Sequence, residues 1–431
     1  MSIVAIVFIV FFALLILGCP IVFVILTTDL LPGVIDSTFV GNAQYVVRNI
    51  ISCADSTALL APPMFTLAGI IMSQGGIAKR IYNVFMYFVG RLPAGMPCAV
   101  VLTCLFYGCI SGSGVATAAA VGSMTIPLLL ELGYDAPFIG VVVSASAGLG
   151  VIIPPSNPYI LYGLATNTSI GALFLAGIIP GCVLAVFLCL YCILYCKKHG
   201  EDKEKIDKAV GELRAKGFWA VFKDSFWALL TPVILLGGLY SGVVTVTEVA
   251  IVSVVYALLV SAFVYRGTNF IGMCKMFVSA SRASAPLNIM IVSAMVMGRI
   301  FTALQIPSMV SGFLVGTFST KFGILIIVNV ILLLIGMVMD TGPAILIFAP
   351  MLLPICSAMN IDPVHMGIFM TINMAIGFVS PPFGQTLFIT GPLVGVEAMK
   401  IGRKSFPCIG LMIIALLIIT FVPELSLWLA Y

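Results

Sequence analysis

Apolar and polar positions alternate along this chain in long blocks. Apolar runs fall at about 3–26, 58–76, 97–110, 114–130, 138–165, 178–196, 226–241, 246–265, 285–304, 324–339, 343–356, 364–392 and 407–429. A helix needs about 20 mostly apolar residues to cross a bilayer core of about 30 Å. Four runs fall short of that and come in pairs, 97–110 with 114–130 and 324–339 with 343–356, each pair joined by a small polar tip, "SGSG" (111–114) or "DTG" (340–342). Each pair is predicted to be a re-entrant hairpin, since irregular backbone at membrane depth is tolerated only inside protein or beside a wet cavity. The first run has the length of a span and lacks the basic flank of a signal peptide, so it is read as one retained helix.

Sliding the sequence on itself by 227 positions sets Pro127 on Pro354, Asp135 on Asp362, Gly140 on Gly367, Gly150 on Gly377, Pro154 and Pro155 on Pro381 and Pro382, and Pro180 on Pro407, without a gap. The tips also correspond, with Ser113 opposite Asp340. The residues kept are helix breakers, which is how internal repeats of membrane carriers announce themselves. "GVIIPPSNPY" (150–159) and "GFVSPPFGQT" (377–386) therefore read as two broken helices, 138–165 and 364–392. Each proline removes a backbone donor, leaving the carbonyls of Gly150, Val151, Gly377 and Phe378 without their helical partners.

Composition settles the solvent. Of 431 residues 61% are hydrophobic and only 8% charged, against about 25% charged in a soluble domain. The chain is an all-α polytopic membrane protein, and its net charge of +4 is scattered between apolar runs instead of forming a nucleic-acid surface. With a cytoplasmic N-terminus and hairpins that return to the side they entered, segments 77–96, 197–225, 266–284 and 393–406 face inward and hold 17 of the 20 Lys and Arg residues. That satisfies the positive-inside rule. The first hairpin then opens to the cytoplasm and the second to the periplasm, so the repeat is inverted: 1–196 is one half, 197–225 a solvated cytoplasmic linker anchored by Trp219 and Trp227, and 226–431 the other half, ending in the periplasm.

A few polar residues stand out. Asp340 is an acid at a hairpin tip, and a charge at membrane depth costs about 2.5–3.5 kcal/mol on insertion scales. It calls for a cation, a helix end or a hydrogen-bond network. Two broken helices beside two tips would supply free carbonyls for Na⁺ and helix N-termini for a carboxylate. Glu248 in "TVTE" reads as a helix-start cap. Arg299 either reaches up to the interface or lines a substrate path. Cys189, Cys192 and Cys196 have helical spacing with no nearby histidine and are read as core. His199 and His365, beside helix ends, are read as solvated.

The stretches "GCISGSGVATAAAVGSMTIPLLLELGYD", "GLGVIIPPSNPYILYG", "SIGALFLAGIIPG", "IGMVMDTGPAILIFAPMLLPI" and "IDPVHMGIFMTINMAIGFVSPPFGQTLFI" closely resemble the large membrane subunit of tripartite ATP-independent periplasmic (TRAP) transporters. The likeness covers nearly the whole chain from about residue 60. It implies an elevator-type secondary carrier in the bacterial inner membrane, importing an organic acid with Na⁺ as coupling ion and no other cofactor. It further implies a periplasmic binding protein that delivers the substrate and a small membrane subunit, expected as a separate chain. By the same resemblance Na⁺ would involve Ser111, Gly112, Ser113, Gly150, Pro154 and Pro155 in one half, with Asp340, Thr341, Gly377, Ser380, Pro381 and Pro382 in the other. The substrate would lie near Ser156, Asn157 and Gln385, with Arg299 on its path. Gly114 stands where the family pattern has a second serine. Two rival readings are a self-sufficient Na⁺/dicarboxylate carrier and, remotely, an intramembrane enzyme; the latter lacks a His/carboxylate or serine–base pair at membrane depth.

Overall fold

A computed structural model describes residues 2–265, 269–317 and 320–431. The first half runs α1 (Ile3–Ile16), α2 (Ile21–Ile35), α3 (Ala43–Ala54), α4 (Ala61–Gln74), α5 (Ile77–Val89), α6 (Gly95–Ser111), α7 (Gly114–Glu131), α8 (Ala136–Ala147), α9 (Leu149–Ile152), α10 (Asn157–Thr166) and α11 (Ile170–His199). After α12 (Lys203–Ala215) come α13 (Phe218–Tyr240), α14 (Val246–Leu259), α15 (Phe270–Ala303), α16 (Ile306–Thr317), α17 (Lys321–Val338), α18 (Thr341–Ala358), α19 (Pro363–Gly377), α20 (Gln385–Val394), α21 (Ala398–Lys404), α22 (Phe406–Phe421) and α23 (Glu424–Leu427). Among the described residues eight helices are long and apolar enough to cross a membrane, or up to ten if each bent pair is one span. The repeat is exact where it matters most: α7 starts at 114 and α18 at 341, α8 at 136 and α19 at 363. It also extends to helices that the apolar pattern does not show, pairing α5 with α16. The α5 helix is amphipathic, burying Ile77, Ile81 and Val84 on one side, so it never forms an apolar run.

Both predicted hairpins and both broken helices are present. The axes of Ala136–Ile152 and α10 differ by 44°. The inversion is visible along α22, whose 16 residues span about 24 Å. Just before it Lys404 pairs with Asp135 at 3.1 Å, beside the base of the α6–α7 hairpin. At its far end Phe421 stacks on Phe322 at the base of α17, with ring centroids 4.7 Å apart. The two hairpins therefore open to opposite sides. Around them α4 packs on α14 and α15 on α2, one contact made twice under the repeat and each time between the halves, while α4 and α15 pack on each other.

Two expectations are corrected and a third gains detail. The run 3–26 is two helices, because Gly18 takes a left-handed φ of +75° and Pro20 starts α2. In a single straight helix Phe8 would lie about 40 Å from residue 35. Instead the Phe8 ring is 5.9 Å from Phe301, next to Ile300, which touches Gly41 just beyond α2. So α1 folds back along α2, and the chain begins on the side of the 36–42 loop; the cytoplasmic N-terminus rested on the unbroken span. The linker, expected to be solvated, is a largely exposed helix with one packed edge. Its α12 buries Ile206, Val210 and Leu213, and Glu201 accepts from Ala94 N–H (2.8 Å) and Tyr134 O–H (2.5 Å), joining the two roots of the first hairpin. Trp219 is exposed, as expected of an interfacial side chain. Finally His365 is buried, its ring nitrogens 2.6 Å from Ser426 Oγ and 3.1 Å from the Thr420 carbonyl.

Candidate functional site: two tips against two broken helices

At the first tip α6 ends on Ser111, Gly112 turns left-handed (φ +57°), and Ser113 caps α7. Ser111 Oγ lies 2.8 Å from Thr117 Oγ1, which donates to the Ser113 carbonyl at 2.8 Å. The Asn157 N–H donates to the Gly112 carbonyl at 3.2 Å, fastening the tip to the restart of the broken helix. A Cβ on Gly112 would come within 2.9 Å of the Pro155 carbonyl, and one on Gly150 would overlap the Thr117 hydroxyl. Gly114 has a local reason too, since a side chain there would run into the Phe378 ring.

At the second tip Asp340 is extended and caps α18, its Oδ1 accepting from Thr341 N–H at 2.6 Å. The Gln385 side-chain amide faces the same carboxylate from the start of α20. Gly377 approaches Gly336 of α17 so closely that a Cβ would overlap the Gly336 carbonyl. Gly150 and Gly377, equivalent in the repeat, thus both press a broken helix onto its own hairpin. The tips meet across α10: Asn157 holds the first, and one turn on Leu161 lies beside Gly342, where a Cβ would sit 3.6 Å from Leu161 Cδ1. In each half the restarted helix then packs on the hairpin of the other half, α10 on α18 and α20 on α7.

The carbonyls expected to be free are mostly claimed. Ser156 Oγ donates to Val151 O at 2.5 Å, Thr386 Oγ1 to Phe378 O at 2.8 Å, and Ser380 N–H to Gly377 O at 3.1 Å. A hydroxyl downstream of each proline pair, and the Ser380 amide just before the second pair, take the place of the missing helical donors. A carbonyl oxygen has two lone pairs, so each can still face a cation. Thr117 and Thr386 were not singled out in the sequence, although both brace the site; Thr386 also donates to Ser144 O at 3.1 Å in the other half.

Four helix N-termini (α7, α10, α18, α20) and four C-termini (α6, α9, α17, α19) converge here. The first set favours an anion and the second a cation. Among the described residues Asn157 Oδ1, Thr341 Oγ1 and Gln385 Oε1 are buried without a hydrogen-bond partner. All three sit at positions singled out in the sequence for substrate or ion. Ser380 bonds Ile376 O at 2.8 Å, and Pro381 rests on Gly402 of α21. Arg299 is not brought to the tips. It lies near the end of α15, with a guanidinium N–H bonded to Asn49 of α3.

A family model described as "Tripartite ATP-independent periplasmic transporter, DctM component" matches residues 5–425. The chain belongs to this family. It is 38% identical over 90% of its length to the isethionate TRAP transporter permease protein DctMQ of Oleidesulfovibrio alaskensis, of which it spans 60%. It is 35% identical to the C4-dicarboxylate TRAP transporter large permease protein DctM of Pseudomonas aeruginosa (86% of this chain, 85% of that one). Identity to the sialic acid large permease SiaM of Vibrio cholerae is 31% (89% and 88%). In fold it resembles the Alcanivorax borkumensis YdaH transporter, with a TM-score of 0.62 and 13% identity over 89% of this chain and 88% of the other. This is a large TRAP permease subunit: a multi-span helical membrane protein.

Proposed function

We propose that the chain is the transporting subunit of a Na⁺-coupled importer for an organic acid, working with a small membrane subunit and a periplasmic binding protein in the bacterial inner membrane. The observation that carries this is the convergence of both tips on both broken helices, with Asp340 at one tip and uncharged Ser111 and Ser113 at the other. Carboxylate, hydroxyl and carbonyl oxygens suit a hard cation such as Na⁺. The N-termini of α10 and α20 suit a carboxylate between the ion sites, while the unpartnered amide oxygens of Asn157 and Gln385 beside them are acceptors that suit the cation. Relatives named for C4-dicarboxylate, sialic acid and isethionate support an anionic substrate. On this reading the N-terminus lies in the periplasm, on the side of Asp36. The test is thermal stability of purified protein in Na⁺ against K⁺ at equal ionic strength. Na⁺ should stabilise it selectively by mass action, and Asp340→Asn should remove most of that gain. Equal stability in both salts contradicts Na⁺ binding.

A further inference from the structure

Between α3, α10, α15 and α18 the structure has an open cleft of about 480 Å³. Arg299 lines it together with Tyr45, Asn167, Thr302, Leu164 and Pro350, and no aspartate or glutamate is among the lining residues. The guanidinium bonds one neutral partner, Asn49, and among the described residues no carboxylate lies within ion-pairing distance of it. An arginine has five donors in a planar fork suited to a carboxylate or sulfonate, so donors beyond the one on Asn49 remain for a ligand. The volume lies within the 300–1,000 Å³ or so of small-molecule pockets.

Position gives the cleft a role. Its walls α10, α15 and α18 are the helices that close around the tips. Met290 of α15 lies against Gly342 at the second tip, and a Cβ on Gly342 would be 2.9 Å from Met290 Cε. Arg299 is nine residues further along α15 and Pro350 nine residues beyond Thr341 on α18, so both stand about 13 Å above the tips. Leu164 is seven residues past Asn157 on α10, or about 10 Å. Three helices thus place the cleft at one level, separated from the tips by the apolar seam that Met290 and Leu161 form against Gly342 of the second tip. Two cleft walls, α3 and α15, belong to the surrounding helices; the other two are α10 of a broken helix and α18 of the second hairpin.

We infer that this cleft is an outer docking site for the oxyanion of the transported acid, with Arg299 as its charge, where the substrate waits before the seam opens. This rests on the organic-acid reading above. It is a second site, distinct from the one at the tips, and it assigns Arg299 to capture instead of to interfacial anchoring.

The test uses the full chain with Thr302→Cys, one turn from Arg299, and compares anionic sulfonatoethyl with cationic trimethylammonioethyl methanethiosulfonate, the parent chain giving the background. With Arg299 present the anionic reagent should be favoured, and Arg299→Gln should lower the anion-to-cation rate ratio about tenfold, the low end of electrostatic focusing in a cleft. Arg299→Lys should keep most of it. At fixed ionic strength at least one of succinate, N-acetylneuraminate and isethionate should slow the anionic reagent more than chloride does, and only with Arg299 present. An unchanged ratio, or slowing no greater than chloride's, overturns the docking site. If Arg299→Gln does not fold, a ratio in the Thr302→Cys chain that is insensitive to salt does the same. None of these readouts involves Na⁺ or uptake, so failure here leaves the transport reading standing, and loss of Na⁺ dependence leaves this one standing.

Discussion

Asp340 is the residue at which the two halves part company most sharply, since its repeat partner is the neutral Ser113. As a cap it is replaceable: asparagine caps a helix about as well as aspartate, within a few tenths of a kcal/mol. As a cation ligand it is not. Asp340→Asn should therefore insert and assemble normally while its uptake demands far more Na⁺ or stops; wild-type Na⁺ dependence in reconstituted vesicles would reduce Asp340 to a cap. Gly150→Ala and Gly377→Ala make a second pair. Each added methyl meets a tip hydroxyl or backbone carbonyl, and overpacking of this kind costs about 1–3 kcal/mol. Both variants should melt several degrees lower and lose most uptake, whereas Gly237→Ala, with open space around it, should do neither. The tips and the two glycines were legible because the repeat kept them. Thr117 and Thr386 were not, because a threonine in an apolar run usually bonds its own helix, as Thr103 and Thr125 do.

At the scale of elements, the hairpins could be read from run length and the broken helices from paired prolines. The N-terminal hairpin could not, because Gly18 and Pro20 interrupt a stretch whose hydropathy never drops. Side follows from that break. A single thiol at Ser2 should label from the same face as one at Asp36, and one at Lys205 only from the opposite face; Ser2 labelling with Lys205 would restore the unbroken span. The packing of the linker was not legible for another reason: α12 buries only three side chains, and Glu201 stands in a run of charged residues with nothing to mark it as an acceptor. Glu201→Ala leaves the Ala94 N–H and the Tyr134 hydroxyl without their acceptor, at about 1–3 kcal/mol. Adding Tyr134→Phe to it should lower the melting temperature by less than the two separate losses together, because they share one partner. Simple addition would mean that Glu201 does not join the hairpin roots.

For the whole molecule, the interlocking of α10 with α18 and α20 with α7 makes the hairpins and broken helices one body, set against α2, α4, α14 and α15. Hairpins that open to opposite sides give that body two faces, and its movement past the surrounding helices would expose one site alternately. Reversible cross-linking of α15 to α18 near Met290 and Gly342 should arrest uptake and release it on reduction; uptake that continues when cross-linked would mean these helices stay together. The division into two halves was legible in the sequence, while the contacts between them were not, since they join residues as far apart in the chain as Ser144 and Thr386. The central claim is coupling of the tip site to Na⁺. The direct measurement is uptake of the acid held by the cognate binding protein, by this chain reconstituted with its small subunit, under an inward Na⁺ gradient. Accumulation that collapses when Na⁺ is replaced by K⁺ is the expected result, and equal accumulation in K⁺ would contradict it.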